Sequence, residues 1–449
     1  MDESMTTFAE PAVDELVDQL RQRGVTAVVG TFVDNAGVAR AKQVPLSRLA
    51  AFHRSGLGAS YSWATFCVDD HLPLNEYFSV VGDMRMKADL SALRILDGGL
   101  AWVPLNIFDQ DGTPLSHCAR GALARQVGAL GDAGLAGRAA FEIEFTYFDA
   151  ASGQVGSGPA YGLRAMMDNE AFFADVVSAL DVAGIAVEQI HAEAGLGQIE
   201  LSTPPVDPVA AADVLVVTRL ILCRVARRHA KLLSFAPQSL DEGIGNGAHV
   251  HFSLTRDGQP LFSGGDHVRE LTPEGARAIG GLLRWLPESL GVLAPSLLSK
   301  ARLQPGKWSG AWVCWGVENR EAAVRLCQAT PGNPHGANVE IKVTDHSANP
   351  YAALAVVLGL ALRGIREAVA LPREASGDPS TERGDDAARP FTTDQAANLR
   401  ASCESPALRD ILGVQMLDAI SAVRGHEVDL AARLSHEELV HAFRYAWSS

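Results

Sequence analysis

Basic residues are in short supply in this chain. Its 38 lysines and arginines face 53 aspartates and glutamates, which gives a formal net charge of -15 at neutral pH. Because nucleic acids and anionic membranes bind basic surfaces, this composition argues against both classes of partner. Long apolar runs are also missing, since the most apolar stretch, 351–362, is too short to span a bilayer and fits a buried helix. We therefore expect no nucleic acid and no membrane among the partners.

Cysteines are few and scattered. The six cysteines form no CxxC pair and have no regular spacing. This pattern indicates neither a disulfide framework nor a zinc site, and it favours reduced thiols. The first eleven residues are acidic and lack the basic-then-apolar order of a secretory leader. Together these absences predict a cytoplasmic protein.

The length of the chain, 449 residues, favours a small domain followed by a larger one. In the first part, hydrophobic periodicity and turn signals predict a helix, a hairpin and two further strands, at 13–23, 26–44, 84–90 and 100–108. The segment 109–114 is rich in turn residues and indicates a border. We therefore predict an N-terminal domain over 1–115 and a catalytic domain over 116–449.

The larger part alternates long helical patterns with short strands, which predicts an α+β domain. Helices are predicted at 119–130, 166–183, 208–229, 273–293 and 350–370, and in the chain after residue 400. The segment 374–390 has hardly any apolar residue, so we expect a mobile surface loop there.

Four short stretches carry carboxylates and imidazoles at every second residue: 141–145, 191–200, 249–253 and 338–342. Because alternate side chains of a β-strand point to opposite faces, each stretch is typical of a strand with one polar face. Strands of this kind laid side by side would gather seven ionisable side chains, Glu142, Glu144, Glu193, Glu200, His249, His251 and Glu340.

So many carboxylates in one place require compensation by cations. Oxygen-rich ligand sets with an occasional imidazole suit Mg²⁺ or Mn²⁺, and magnesium ions in such sites commonly bridge phosphates. The alternative is an ordinary antiparallel sheet with a solvated outer face. Such a face normally mixes basic and hydroxyl residues with its acids, whereas only Lys342 supplies a positive charge here. We therefore predict a divalent-metal site that serves ATP-dependent chemistry.

Five motifs, in this order, resemble the signatures of the glutamine synthetase superfamily. They are Glu142-x-Glu144, His191 to Glu200, Gly245 to His251, Arg302 through Arg325, and Glu340 through Tyr351. The likeness covers nearly the whole chain. It implies a glutamine synthetase-like α+β fold, with a small β-grasp N-terminal domain and a large catalytic domain whose curved antiparallel sheet is flanked by helices.

The resemblance also implies roles for individual residues. One metal would be bound by Glu144, Glu193 and Glu200, and the other by Glu142, His249 and Glu340. The catalytic arginines would be Arg302, Arg320 and Arg325. The nucleotide would contact His251, Ser253, Arg325 and Asn338. The other substrates would contact Gly245, Arg302, Trp308, Arg320 and Lys342.

These roles fit the chemistry of carboxylate activation. Phosphorylation by ATP gives a carboxylate carbon a good leaving group, and metals with guanidinium groups stabilise the charge on the transferred phosphoryl group. Arginine suits this task because its fork binds phosphate through two hydrogen bonds. The alternative for the segment 319–325 is a solvated charged stretch.

Several positions depart from the ammonia-using enzymes of the superfamily. Ile244 stands where those enzymes carry an asparagine, Lys342 and Asn338 stand where they carry arginines, and the segment 307–310 replaces an acidic flap residue. The segment 56–62 offers no acid that would support ammonium. Ammonium needs nearby carboxylates to bind and lose a proton, whereas the indole of Trp308 offers apolar and cation-π contact to an organic amine. The alternative is that Trp308 only packs the flap.

Three functions therefore remain open. The first is an ATP-dependent ligase that joins the γ-carboxylate of glutamate to an organic amine, such as an alkylamine, ethanolamine or a polyamine. The second is a glutamate-ammonia ligase, and the third is a catalytically silent member with a regulatory or scaffold role. The segments 308–310 and 314–320 resemble actinobacterial members of the first kind. The resemblance further implies a homo-oligomer, a dodecamer of two stacked hexameric rings.

Overall fold

A computed structural model describes residues 10–384 and 387–448. The prediction that the chain starts without a secretory leader concerns residues that lie mostly outside this part. Within the described residues, no helix combines the length and the apolar character needed to cross a bilayer.

The N-terminal part is a mixed sheet with helices packed beside it. Its strands are β1 (Ala27–Val33), β2 (Ala39–Pro45), β3 (Leu57–Ser60), β4 (Asp83–Ala88), β5 (Arg94–Leu96) and β6 (Leu100–Phe108). The order is β2-β1-β6-β4-β3, with β5 paired to β6. The pair β1 and β6 is parallel, and the other pairs are antiparallel. The helices are α1 (Glu10–Gln22) and α2 (Leu49–Arg54), so the helix and the strands predicted here are all present.

The turn between β1 and β2 is one place where the N-terminal part meets the catalytic part. Gly37 in this turn has a φ of 79°, and a Cβ atom added there would lie 2.4 Å from the backbone oxygen of Ser347. Only glycine permits both this conformation and this close approach. The side-chain amide of Asn349 donates to the carbonyls of Val33 and Asp34, at 2.9 and 3.2 Å. The tip of the hairpin is thus hydrogen-bonded to the loop that contains Ser347 and Asn349.

The catalytic part contains the second sheet. Its strands are β7 (Leu135–Asp149), β8 (Gln189–Ala192), β9 (Gln198–Ser202), β10 (Lys231–Ser234), β11 (Val250–Arg256), β12 (Gln259–Pro260), β13 (Trp312–Val317), β14 (Ala322–Cys327) and β15 (Asn338–Ile341). The order is β13-β14-β15-β11-β7-β9-β8, with β10 paired to β7 and β12 to β11. All of these pairs are antiparallel except β13 with β14. The polar-faced stretches lie on adjacent strands, as predicted.

Helices cover this sheet. They are α3 (Ala119–Asp132), α4 (Leu163–Met167), α5 (Glu170–Val182), α6 (Pro208–Arg228), α7 (Pro273–Trp285), α8 (Leu290–Leu293), α9 (Ser299–Arg302), α10 (Pro350–Arg366), α11 (Gln395–Glu404), α12 (Pro406–Leu412), α13 (Val414–Ala431) and α14 (His436–Phe443). Helix α10 is buried along nearly its whole length and packs against α7, α3, α12 and α6. This confirms that the most apolar stretch of the chain is a buried helix.

Two predicted helices are interrupted. The helix predicted at 166–183 is split into α4 and α5 at Asn169, whose side-chain amide donates to the Ala165 carbonyl at 2.7 Å and to the Tyr147 hydroxyl at 3.0 Å. The helix predicted at 273–293 ends at Trp285, because Pro287 has no N–H and the chain continues as a short 3-10 turn. Hydrophobic periodicity continues through both breaks and therefore does not reveal them.

The predicted loop 374–390 is irregular in its described residues, apart from a short 3-10 turn at Pro379–Thr381. Residues 385 and 386 lie outside the described part. The loop is packed at its start, where the side chain of Asn319 donates to the carbonyls of Ala375 and Gly377. The segment between β6 and α3 has no regular element, and the domain border near residue 115 stays a prediction.

Candidate active site

A cavity of about 710 Å³ lies over the polar face of the second sheet. Most of the residues singled out in the sequence line it, namely Glu142, Glu144, Glu193, Glu200, Gly245, His249, His251, Arg302, Trp308, Arg320, Arg325 and Lys342. Glu340 is fully buried beside the cavity and contacts Arg325 and Lys342. The fold thus brings together candidates that are spread over about two hundred residues of sequence.

Strand register creates the cluster of carboxylates. Glu144 on β7 lies opposite Glu200 on β9, and His251 on β11 lies opposite Glu340 on β15. Three groups of side chains have ligand atoms within 4.8 Å of one another: Glu142, His249 and Glu340; Glu142, Glu144 and Glu200; and His191, Glu193 and Glu200. The first group is the ligand set that the resemblance implies for one metal. The other two contain the three glutamates implied for the second metal.

The electrostatics of the cluster call for cations. Burial, together with the charges of Glu142, Glu144, Glu193 and Glu340, raises the pKa of Glu200 to about 10. Burial also raises the pKa of Glu144, although a backbone N–H and His249 oppose this effect. Carboxyl groups held this way are costly when ionised and uncompensated. The donor set, carboxylate oxygens with one imidazole, therefore fits divalent ions that prefer oxygen ligands.

Basic residues compensate one side of the cluster. The ammonium of Lys342 lies 2.9 Å from Glu340, and the guanidinium of Arg325 lies 3.1 Å from the other oxygen of the same carboxylate. Burial raises the pKa of Glu340, but Lys342 and the nearby histidines outweigh this effect and hold it at about 2. Arg325 also pairs with Glu318. Glu340 is thus ionised, and it links the carboxylate cluster to Lys342 and Arg325.

Three of the four predicted nucleotide-side residues, His251, Ser253 and Asn338, line a second cavity of about 310 Å³, whereas Arg325 lines the first cavity. Ser253 and Asn338 line it, and it shares Glu142 and His251 with the first cavity. The ring of His251 spans the boundary, since Nδ1 lies 2.8 Å from the Asn338 side-chain oxygen and Nε2 lies 3.0 Å from Glu142. The carboxylate cluster therefore stands between two spaces.

Arg302 borders the first cavity but is already engaged. Its guanidinium donates to the backbone carbonyls of the segment 342–344, and its side chain is almost fully buried. Burial lowers its pKa, while Asp345, 3.7 Å away, opposes this effect. To bind a substrate carboxylate, Arg302 would have to exchange these partners. Gly245 packs against it, because a Cβ atom added at Gly245 would lie 2.9 Å from Cγ of Arg302 and 2.0 Å from the Pro237 carbonyl oxygen.

The mouth of the cavity is formed by the segment 306–309, which we call the flap. Trp308 has a positive φ of 53° and its side chain is 52% exposed. Lys307 ties the flap down, since its ammonium donates to the carbonyls of Gly243 and Ala301 at 2.8 and 3.0 Å. Ile244 lines the same mouth and is also exposed. Two apolar side chains thus face the space that leads to the carboxylates.

Sequence reasoning missed several residues of the site. His191 lies 2.9 Å from Glu193, and the amide of Gln198 donates to Glu144 at 2.8 Å. Both belong to the polar-faced stretches, so their strand periodicity was a usable signal. Tyr161 lines the cavity from an irregular segment and has no such signal. Burial, together with the charge and hydrogen bond of Glu193, raises the pKa of its hydroxyl to about 12.

Comparison with known proteins agrees with this geometry. Residues 116–442 match the family model of the glutamine synthetase catalytic domain. The chain is 38% identical to the gamma-glutamylpolyamine synthetase GlnA3 of Streptomyces coelicolor, over 96% of each protein. It is 29% identical to the gamma-glutamylputrescine synthetase PuuA of Escherichia coli, over 76% of this chain and 73% of the relative. A crystal structure of a novel glutamine synthase homolog superposes with a TM-score of 0.84 at 30% identity, over 94% of this chain and 98% of that one.

The chain belongs to the glutamine synthetase family. It is an ATP-dependent ligase that forms carbon-nitrogen bonds, and enzymes of this family use ATP with divalent metal ions. The predicted family, fold class and class of enzyme are thereby confirmed.

Proposed function

We propose that this protein joins the γ-carboxylate of glutamate to a polyamine. The observation that carries this proposal is the mouth of the cavity, where Trp308 and Ile244 stand and the flap presents no carboxylate. Ammonium would find little to bind there, whereas the methylene chain and cationic groups of a polyamine suit an exposed indole and aliphatic side chain. The likeness to polyamine and putrescine ligases supports the same choice.

The residues of the cavity would divide the reaction between them. The metal ion, Mg²⁺ or Mn²⁺, would be held by Glu142, Glu144, Glu193, Glu200, His249 and Glu340, and it would supply positive charge that offsets the charge of the phosphate groups. Arg320 and Arg325 would contact the transferred phosphoryl group, because guanidinium donors stabilise the charge that develops on it. His251, Ser253 and Asn338 would face the nucleotide from the second cavity.

The amine would approach from the flap side. The carboxylate of Glu193 is held by His191 at 2.9 Å and accepts the backbone N–H of Ala194 at 2.9 Å. The Tyr161 hydroxyl, which is hydrogen-bonded to Glu193 and lines the same cavity, would orient the attacking nitrogen. Lys342 and Gly245 would border the glutamate, with Arg302 as a further contact if it gives up its backbone partners.

The assembly and the location belong to the same proposal. The family resemblance supports a homo-oligomer, a dodecamer of two stacked hexameric rings, in the cytoplasm. Family membership is therefore the only support for this assembly, and it rests on the match of residues 116–442 and on the relatives given above. Analytical ultracentrifugation of the purified protein tests the assembly, since a monomer would contradict it.

The experiment that tests the function is phosphate release by the purified protein with Mg²⁺, ATP and glutamate. The nitrogen source would be ammonium, alkylamines, ethanolamine, putrescine, spermidine or spermine in separate reactions. We expect release with polyamines and little with ammonium, and a product whose mass equals that of the γ-glutamyl amide. The Glu144→Ala variant is the control for contaminating ATPase activity.

Each other outcome identifies a different function. Release with ammonium alone would make the protein a glutamine synthetase and contradict our proposal. Release with polyamines only when another acid replaces glutamate would mean that the amine substrate is a polyamine but the acid substrate is not glutamate. Silence with every substrate, combined with no gain in thermal stability from Mg²⁺ and ATP, would favour a regulatory or scaffold role.

A further inference from the structure

A separate cluster of metal-binding side chains lies outside both cavities. The thiol of Cys67, a carboxylate oxygen of Asp69 and a ring nitrogen of His426 lie within 4.8 Å of one another. None of the three lines either cavity described above. Asp69 and His426 are partly exposed, so an ion can reach the cluster from solvent, whereas Cys67 is buried beneath them.

The chain holds these donors in place with backbone hydrogen bonds. The segment 67–71 forms a turn in which the N–H of Cys67 donates to the His71 carbonyl at 2.9 Å. Oδ1 of Asp69 accepts the His71 N–H at 3.2 Å, which orients the carboxylate. Asp70, between them, has a positive φ of 61° and pairs with Arg40 at 3.2 Å. Two donors are thus oriented by one constrained turn.

Helix α13 supplies the third donor. Nε2 of His426 lies 2.9 Å from Asp69, a hydrogen-bond distance that would widen to about 3.3 Å between two ligands of one tetrahedral ion. The ring of His71 stacks on that of His426, with centroids 3.9 Å apart and planes 12° from parallel. This stacking places a second imidazole ring beside the cluster. The donors come from two elements that are 357 positions apart in the chain.

The donor types differ from those of the active site. Thiolate and imidazole ligands with one carboxylate favour Zn²⁺ and similar transition-metal ions over Mg²⁺, which prefers oxygen. Three protein ligands with water or a fourth side chain complete a tetrahedral site. The sequence shows no paired CxxC spacing because two of the ligands lie two residues apart in one turn and the third lies near the C-terminus.

We propose that Cys67, Asp69 and His426 bind one divalent transition-metal ion of the Zn²⁺ type. On binding, the Cys67 thiol releases its proton to solvent, and the contact between Asp69 and His426 is replaced by bonds to the ion. The ion joins the N-terminal part to helix α13, which stabilises the fold without taking part in ligation of the amine. The alternative is a buried thiol that only packs, beside an ordinary surface ion pair.

Cobalt binding tests this proposal, because a cobalt-thiolate bond gives a charge-transfer absorption that carboxylate and imidazole ligands do not give. The full-length protein is treated with a chelator, saturated with Mg²⁺ to fill the active site, and titrated with Co²⁺. We expect the thiolate band to saturate at one equivalent and to disappear when Zn²⁺ is added. The active site itself contains one thiol, Cys327, so the Cys327→Ser variant is the matched control.

The variants decide between the two readings of the cluster. We expect the band in the wild type and in Cys327→Ser, its loss in Cys67→Ser, and weaker cobalt binding in His426→Gln. Circular dichroism of each variant checks that it is folded. A wild type without the band, or a band that persists in Cys67→Ser and vanishes in Cys327→Ser, would overturn the proposal.

Discussion

The carboxylate of Glu321 holds the backbone of Trp308 at the mouth of the active site. One oxygen accepts the N–H of Trp308 at 2.9 Å, and the other accepts the N–H of Gly306 at 3.1 Å. Glu321 follows Arg320 directly, and Arg320 lines the same cavity. A single turn therefore positions both the candidate phosphate contact and the exposed indole. The flap is fixed at its base although its tryptophan is open to solvent.

Removing this anchor should weaken binding of the amine. Each hydrogen bond from a backbone N–H to a carboxylate contributes about 1.5–3 kcal/mol, so we expect Glu321→Ala to raise the KM for the amine by roughly tenfold or more. The KM for ATP should change less, because the second cavity, which Ser253 and Asn338 line, includes no residue of the flap.

A double-mutant cycle with Trp308→Ala checks this reasoning. If Glu321 acts through Trp308, the effect of the double variant on the amine KM should be smaller than the sum of the two single effects. Glu321→Gln, which keeps one acceptor, should fall between the wild type and Glu321→Ala. Additive effects, or an unchanged amine KM in Glu321→Ala, would contradict the role of Glu321.

Loss of Arg325 should abolish turnover while leaving the fold intact. Its guanidinium lies 3.1 Å from Glu340 and faces the cavity, where it would contact the phosphoryl group. Removing a preorganised donor of this kind costs about a hundredfold or more in kcat. Arg325→Lys keeps the charge but loses the fork, so we expect partial activity. Phosphate release measures the activity of both variants. The control is Arg433→Ala, which changes an exposed arginine. Full activity of Arg325→Ala would contradict a catalytic role for Arg325.

The metal-free protein should become less stable as the pH rises, and Glu200 should contribute to this loss. Its pKa is raised from 4.5 to about 10, so the folded protein binds this proton more tightly than the unfolded chain does. Stability is therefore highest below pH 4.5 as far as this group is concerned, and it is lost between there and about pH 10. Divalent cations should reverse the loss by compensating the charge.

Glu200→Gln tests this point, because the amide has nearly the same shape without the charge. We expect its metal-free melting temperature at pH 8 to equal or exceed that of the wild type, while the gain from Mg²⁺ with ATP shrinks. Differential scanning fluorimetry measures both quantities, with the exposed Glu437→Gln as the control. A metal-free variant clearly less stable than the wild type would show that Glu200 is not a strained carboxyl group.

Asn349 should be important for stability because it acts on two elements at once. Its side-chain oxygen caps helix α10 by accepting the N–H groups of Tyr351 and Ala352, at 3.1 and 3.3 Å. Its amide donates to two buried carbonyls at the tip of the N-terminal hairpin. A lost cap costs about 1 kcal/mol and an unsatisfied buried carbonyl about 1–3 kcal/mol. Asn349→Ala should therefore lower the free energy of unfolding by about 2–4 kcal/mol.

Asp207→Ala is the matched comparison for Asn349, because Asp207 caps helix α6 in the same way, and within residues 10–384 and 387–448 its side chain bonds only to the N–H groups of Val209 and Ala210. We expect it to cost about 1 kcal/mol. Urea denaturation followed by circular dichroism measures both variants. Equal losses in the two variants would mean that the contacts of Asn349 with the hairpin add nothing.

The sequence was sufficient to find most of the carboxylate cluster that we propose as the metal site. Glu142 and Glu144 are two residues apart, and so are His249 and His251, a spacing that places each pair on one face of a strand. This local rule does not depend on tertiary structure. A second local signal, the continuous apolar run 351–362, predicted the helix α10, whose residues are nearly all buried. Five motifs in order then indicated the family, because together they resemble its signatures, and the family model matches residues 116–442.

Hydrophobic periodicity did not predict the end of a helix where the contact of a single side chain interrupts it. Asn169 divides one predicted helix by bonding to Tyr147, a residue on a distant strand. The hydrophobic pattern of the helix does not predict this contact with Tyr147. Tyr161 reaches the cavity from irregular backbone, where no period exists to place it.

The sequence by itself determined which residues share a strand face, which helix is buried and which family the chain belongs to. Only the tertiary structure decided which strands are neighbours, that the donors of Arg302 are taken by backbone carbonyls, and that Glu321 holds Trp308. It alone brought Asp69 to within 2.9 Å of His426. The reason is physical: periodicity records the local geometry of one strand or helix, whereas contacts between distant segments depend on how all the elements pack together.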